Sequence, residues 1–164
     1  MTNEAIEIQN DGGYPVSADA LIDAARATLA QHNAAGCSLT LVISDSATVQ
    51  DLNRQFRGVD APTDVLSFPA DDMPPAPDDV PDSPRYVGDI IIAYPYTAAA
   101  AQRAGHDIAG TLTLLTVHGT LHLLGFDHDT DANRAVMWRH QRDICAALGV
   151  AEAIIPTLEG LDDD

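Results

Sequence analysis

The stretch Ser38 to Ser44, SLTLVIS, places Leu39, Leu41 and Ile43 at alternate positions. Successive side chains of an extended chain point to opposite faces, so the pattern predicts a strand with one buried face. Tyr86 to Ala93, YVGDIIIA, is a more continuous apolar run and predicts a second strand. Asp64 to Phe68 is a short β-rich run expected to stop at Pro69, and Ala5 to Gln9 alternates weakly as a first strand. Elsewhere the apolar period lengthens to that of a helix. Ser17 can cap a helix over Ala18 to Asn33, with Leu21, Ala25 and Leu29 as its core stripe and Gly36 beyond its end. Asp45 or Ser46 can open a helix over Ala47 to Arg57, which Gly58 closes. Pro95 can open a short Ala-rich helix that ends near Gly105. Asp107 to Leu124 is the longest apolar helical stretch, with Gly125 as terminator, and Asp131 to Leu148 is a last amphipathic helix stopped by Gly149. About four strands and four to five helices imply an α+β fold, a mixed α/β sandwich whose small mixed sheet packs against helices.

Length and charge narrow this picture. The 164 residues suit one domain over 1–164, with a core large enough to need no disulfide framework. Acidic residues number 25 against 8 basic ones, for a formal net charge of −17. Every basic residue is Arg, and Lys is absent. Such a chain lacks the broad basic platform of a general nucleic-acid wrapper and is not drawn to anionic lipid. Ala70 to Pro84, ADDMPPAPDDVPDSP, has no apolar period and reads as an exposed acidic, Pro-rich loop (70–84); residues 160–164 read as an acidic tail. No apolar run approaches a membrane span, and the start MTNEAIEIQNDGG lacks the basic and apolar regions of a signal peptide. A cytoplasmic location is therefore expected, with Cys37 and Cys145 as reduced, buried thiols.

Three of the six histidines fall in HGTLHLLGFDH, residues 118 to 128. His118 and His122 are four apart, hence on one helical face and one turn apart. Gly125 can take the left-handed conformation that ends a helix and reverses the chain, letting His128 swing back to the same point. Three converging imidazoles form the ligand set of an open transition-metal site, with a further position left for water. The spacing matches that of a metallopeptidase helix, but the general base expected directly after the first His is replaced by Gly119. Phosphodiester cleavage is a natural alternative use of the same geometry, since it needs a Lewis acid and positioned cations.

HGTLHLLGFDH closely resembles the signature of the YbeY family of bacterial rRNA maturation factors, which are metal-dependent endoribonucleases of single-stranded RNA. Leu52, Asn53, Phe56, Arg57, Asp60 and Pro62 to Pro69 (PTDVLSFP) resemble a second block of that family, and Val87 to Ile92 (VGDIII) its GDI strand. The blocks follow the family's order over roughly residues 38 to 149. The resemblance implies a small mixed sheet with the histidine helix central. It implies that His118, His122 and His128 hold one metal ion per chain, taken as Zn2+ or another divalent transition metal. It also gives Arg57 a catalytic role, at the RNA backbone or at charge on the cleaved phosphate. The implied function is processing of the 3′ end of small-subunit rRNA during ribosome biogenesis. The implied partners are rRNA or other single-stranded RNA and the ribosome or small-subunit assembly intermediates, with neither membrane nor DNA.

Two departures stand out. Many family members carry an acid about two turns before the first metal His, where this chain has Ala109, Gly110 and Thr111. The acidity is the other; it confines RNA contact to a few phosphates and predicts a shallow salt slope of about two or three ion equivalents. Asp64 and Asp89 read as structural hydrogen-bonding residues, and Asp127 as either an orienting partner for a histidine or a surface carboxylate. Met137 and Trp138 are expected in the core, with His106 and His140 at the surface or at helix ends. Two alternatives are a non-catalytic ribosome-assembly factor with a structural zinc and a metallopeptidase without its usual Glu.

Overall fold

A computed structural model of the chain describes residues 6–70 and 85–155. The expected acidic loop after Ala70 and the tail at 160–164 lie outside the described residues. The elements run β1 (Ile6–Gln9), α1 (Ala18–Gln31), β2 (Ser38–Ser44), α2 (Ser46–Arg57), β3 (Val65–Pro69), β4 (Tyr86–Ala93), α3 (Tyr94–Ala104), α4 (Ile108–Leu123) and α5 (Asp131–Ala147).

Side-chain caps satisfy the first free N–H groups of four helices. Ser17 Oγ accepts from Ala20 N at 3.2 Å, Asp107 Oδ1 from Gly110 N at 2.9 Å and Thr130 Oγ1 from Asn133 N at 3.1 Å. Asp45, rather than Ser46, caps α2 by accepting from Thr48 N at 2.7 Å, and this bond holds its carboxyl below the usual range. The end of α1 differs from the expectation. Asn33 takes the left-handed conformation with φ 58°, and Ala34 N bonds back to Leu29 O at 2.8 Å. Asparagine tolerates this conformation better than most residues, so the helix ends at Gln31, a little short of the expected Asn33.

The sheet order is β1-β2-β4-β3. β1 pairs parallel with β2 and β2 parallel with β4, whereas β3 runs antiparallel to β4. This is the expected mixed sheet. β3 does stop at Pro69, which is itself the last paired residue, opposite Gly88. β3 is an edge strand, where a residue without N–H can leave its outer side unpaired.

Ile90 and Ile92 of β4 and Leu39 and Leu41 of β2 form one buried cluster with Leu21 and Leu29 of α1, Leu114 and Leu121 of α4 and Met137 of α5. Helix α2 covers the other face, where Val49 meets Leu66 and Ala93, with Leu52, Phe68 and Ile91 at the margin. Helix α4 is buried almost all round, as a central helix must be if it is apolar on every side. Its hydroxyls are satisfied internally, with Thr116 Oγ1 donating to Leu112 O and Thr120 Oγ1 to Thr116 O. Gly119 lets this helix approach the sheet, because a Cβ there would lie 2.9 Å from Ile90 Cγ2. Cys145 is buried as expected, but Cys37 is only partly so, because it lies in the connection leading to β2. No helix among the described residues is long and apolar enough to cross a membrane.

Candidate metal centre and its cleft

His118 and His122 project from the last turns of α4, which Leu124 caps. Gly125 follows with φ 100°, and Phe126 N bonds back to Leu121 O at 3.0 Å, reversing the chain. His128 thereby returns to the two helical rings. One ring nitrogen of each histidine can be chosen so that all lie within 4.8 Å of one another. Ring centroids are 4.7 Å apart for His118 and His122, 5.1 Å for His122 and His128, and 5.7 Å for His118 and His128.

Two of the rings are oriented through their far nitrogens. His118 Nδ1 lies 2.9 Å from Gln141 Oε1, and His122 Nδ1 lies 3.0 Å from the Phe126 carbonyl. Both partners are acceptors, so each Nδ1 carries the proton and each Nε2 presents a lone pair. His122 Nε2 is buried without a hydrogen-bond partner. An unpaired acceptor in such a place is costly unless something coordinates it. These are the properties of a divalent transition-metal site, and the residues fit such an ion. Trp138 stacks on His128 at 5.3 Å and 29° and lies 6.0 Å from His118, so it supports the site as well as filling the core. Arg134 holds the turn from α5, with Nη1 on Asp131 at 2.8 Å and Nη2 within 3.4 Å of the His128 carbonyl.

Sequence reasoning missed Gln141 and the support given by Trp138. The available signal was a polar residue four positions after Met137, on the core stripe expected of the last helix. Asp127 accepts from the His128 backbone N at 2.8 Å, which shapes the turn. His140 is half-buried and lies within α5, neither fully at the surface nor at a helix end. Its ring lies 4.6 Å from His32 and 5.1 Å from Phe126, because α5 passes over the end of α1 and the turn after α4.

A cleft of about 940 Å³ opens beside the histidines, lined by α2, β3, β4 and the turn from Gly125 to Asp129. His122 and His128 line it, with Arg57 and Phe56 from α2. Arg57 Nη2 donates to the Ser67 carbonyl at 2.8 Å, which draws an exposed guanidinium back toward β3. The structure thus gathers Arg57, His122 and His128 around one opening. Asp89 also lines it, and accepts from the Tyr86 hydroxyl. Burial and that carboxylate push the Tyr86 hydroxyl up to about 12. Asp129 lines the cleft as an anion, its carboxyl held below the usual range by a hydrogen bond from Asn133. Position 119, where the metallopeptidase spacing calls for a base, packs against Ile90 instead of reaching the cleft lining. This argues against that alternative independently of residue type.

A family model described as Endoribonuclease YbeY matches residues 6–149. The Endoribonuclease YbeY of Rhodococcus opacus (strain B4) is 45% identical over 129 residues, 76% of this chain and 71% of the relative. That of Chloroflexus aurantiacus (strain ATCC 29366 / DSM 635 / J-10-fl) is 44% identical over 147 residues, 88% of this chain and 96% of the relative. In three dimensions the chain is similar to the solution structure of TM1509 from Thermotoga maritima. The TM-score is 0.57 at 25% identity, over 87% of this chain and 88% of that one.

Proposed function

The chain belongs to the YbeY family of endoribonucleases, and on that premise we propose a zinc-dependent cut of single-stranded RNA during maturation of the small-subunit rRNA 3′ end. The observation that carries the reading is the convergence of His118, His122 and His128, with ring nitrogens within 4.8 Å, beside a cleft that also presents Arg57.

The three rings would hold one divalent ion, His118 and His122 through Nε2. Neutral imidazoles leave the ion's full charge in place, and bound there it supplies Lewis acidity to the reacting phosphate. Gln141 and the Phe126 carbonyl keep the two helical rings in the metal-binding tautomer. Arg57 offers a fork of donors already aligned by Ser67 O, suited to a phosphate whose negative charge grows as the bond breaks. Asp89 and Asp129 face the same opening and repel a long run of phosphates, so contact stays local. The substrate would be cytoplasmic rRNA, alone or in small-subunit assembly intermediates.

The test is cleavage of a single-stranded RNA by purified protein, with metal content measured on the same sample. Cleavage and bound zinc should be lost together in His118→Ala and His122→Ala. Full zinc in either variant would overturn the ligand assignment. Zinc without any RNA cleavage by the wild type would favour a structural zinc.

A further inference from the structure

We propose that the Phe56 ring is a stacking platform for one nucleobase of the RNA, next to the phosphate that is cut. The inference rests on the function proposed above and adds a substrate-binding residue to it.

Phe56 is 63% exposed, more than any other large apolar residue described; the next is Val59 at 47%. Its ring is nonetheless held in place. It meets Phe68 edge to face, with centroids 5.4 Å apart and planes at 73°. Phe68 in turn packs against the buried cluster of Val49, Leu66 and Ala93 under α2. An edge-to-face neighbour covers at most one face of a ring and leaves the other able to receive a further ring. Phe56 lines the same cleft as His122 and His128, and its chain neighbour is Arg57.

Charge says what kind of ligand this suits. Besides its histidines, the cleft lining contains, among the described residues, one cation, Arg57, and three carboxylates, those of Asp89, Asp127 and Asp129. Phosphate attraction alone is therefore a weak means of holding RNA here, and the whole chain carries −17. Stacking does not depend on charge. It accepts any base, and it requires an unpaired one, because a base in a duplex has both faces covered. An exposed aromatic beside the arginine thus selects single strands and compensates for the missing basic surface.

The experiment compares wild type, Phe56→Ala and Phe56→Trp on one single-stranded RNA oligonucleotide and on two copies of it. Each copy carries an abasic nucleotide, on the 5′ side of the cut in one and on the 3′ side in the other. For wild type, one abasic copy should raise KM about tenfold with kcat little changed. Phe56→Ala should raise KM on the intact RNA by a similar factor and should no longer distinguish that copy. Phe56→Trp should restore both the low KM and the distinction. If Phe56→Ala weakens all three RNAs equally, or none, the inference is overturned while the endoribonuclease reading stands. If wild type cuts no intact RNA, both fall.

Discussion

Gln141 Oε1 accepts from His118 Nδ1 at 2.9 Å, across the packed interface of α5 and α4. The bond fixes which nitrogen of His118 faces the other two rings. Gln141→Leu keeps the volume and removes the acceptor. Zinc affinity should fall about 10- to 100-fold, read by competition with a chromogenic chelator, while helix content stays the same. Unchanged affinity would mean that packing against Trp138 alone orients the ring.

Arg57→Ala should retain full zinc and lose roughly 100-fold or more in kcat on single-stranded RNA. Arg57→Lys should recover little, because a point charge on a flexible stem cannot both bond Ser67 O and fork onto a phosphate. Recovery to near wild type in the lysine variant would reduce Arg57 to a simple charge.

Gly119→Ala tests how closely α4 lies on the sheet. The added carbon would stand 2.9 Å from Ile90 Cγ2 and 3.1 Å from its Cγ1 and Cδ1. Overpacking of this kind costs about 1–3 kcal/mol, visible as a lower urea midpoint. Ile90→Ala in the same chain should return part of the loss; the sum of the two single losses would instead show that the sites are independent. Gly88→Ala should be worse and resist such rescue. Its φ is 137°, and the new carbon would overlap the Phe68 carbonyl oxygen, which is backbone and cannot swing away.

Burial, and then the neighbouring His140, hold His32 below its ordinary value of 6.5. A proton therefore prefers the unfolded chain. The stability this contributes is present above about pH 6.5 and drains as pH falls through the lower folded value. The urea midpoint of metal-free protein should drop between pH 7 and pH 5, and His32→Phe should flatten that drop. Parallel curves for the two proteins would assign the acid sensitivity elsewhere.

Much of this architecture is legible in local chemistry. Ser17 and Asp45 cap the helices they precede, Gly58 and Gly105 stand at the helix ends expected of them, and Gly125 adopts the expected left-handed conformation. The histidine triad is legible for the same reason, since a helical turn and one glycine bring its members together. What was hidden depends on partners distant in the chain. Pro69 could be read as part of a strand only with the knowledge that β3 lies at the sheet edge. Gln141 acquires its role from a histidine 23 residues earlier. His140 owes its partly buried place to His32 at the end of α1 and to Phe126, neither of them on its own helix. Asn33 is the exception, a local signal overlooked in favour of the nearby glycine.

The three histidines span only residues 118 to 128, whereas Arg57 comes from a distant part of the chain. Bringing the rings together closes a very short loop, and its entropic cost is correspondingly small. Metal capture therefore requires little more than the end of α4, its turn and the stretch of α5 that carries Gln141. Cutting RNA also requires the sheet and α2 to be in register around it. A variant damaged in α2 would hold its ion and remain inert. For this fold, metal content and catalytic competence are separate measures of nativeness, and the first will outlast the second as the protein unfolds.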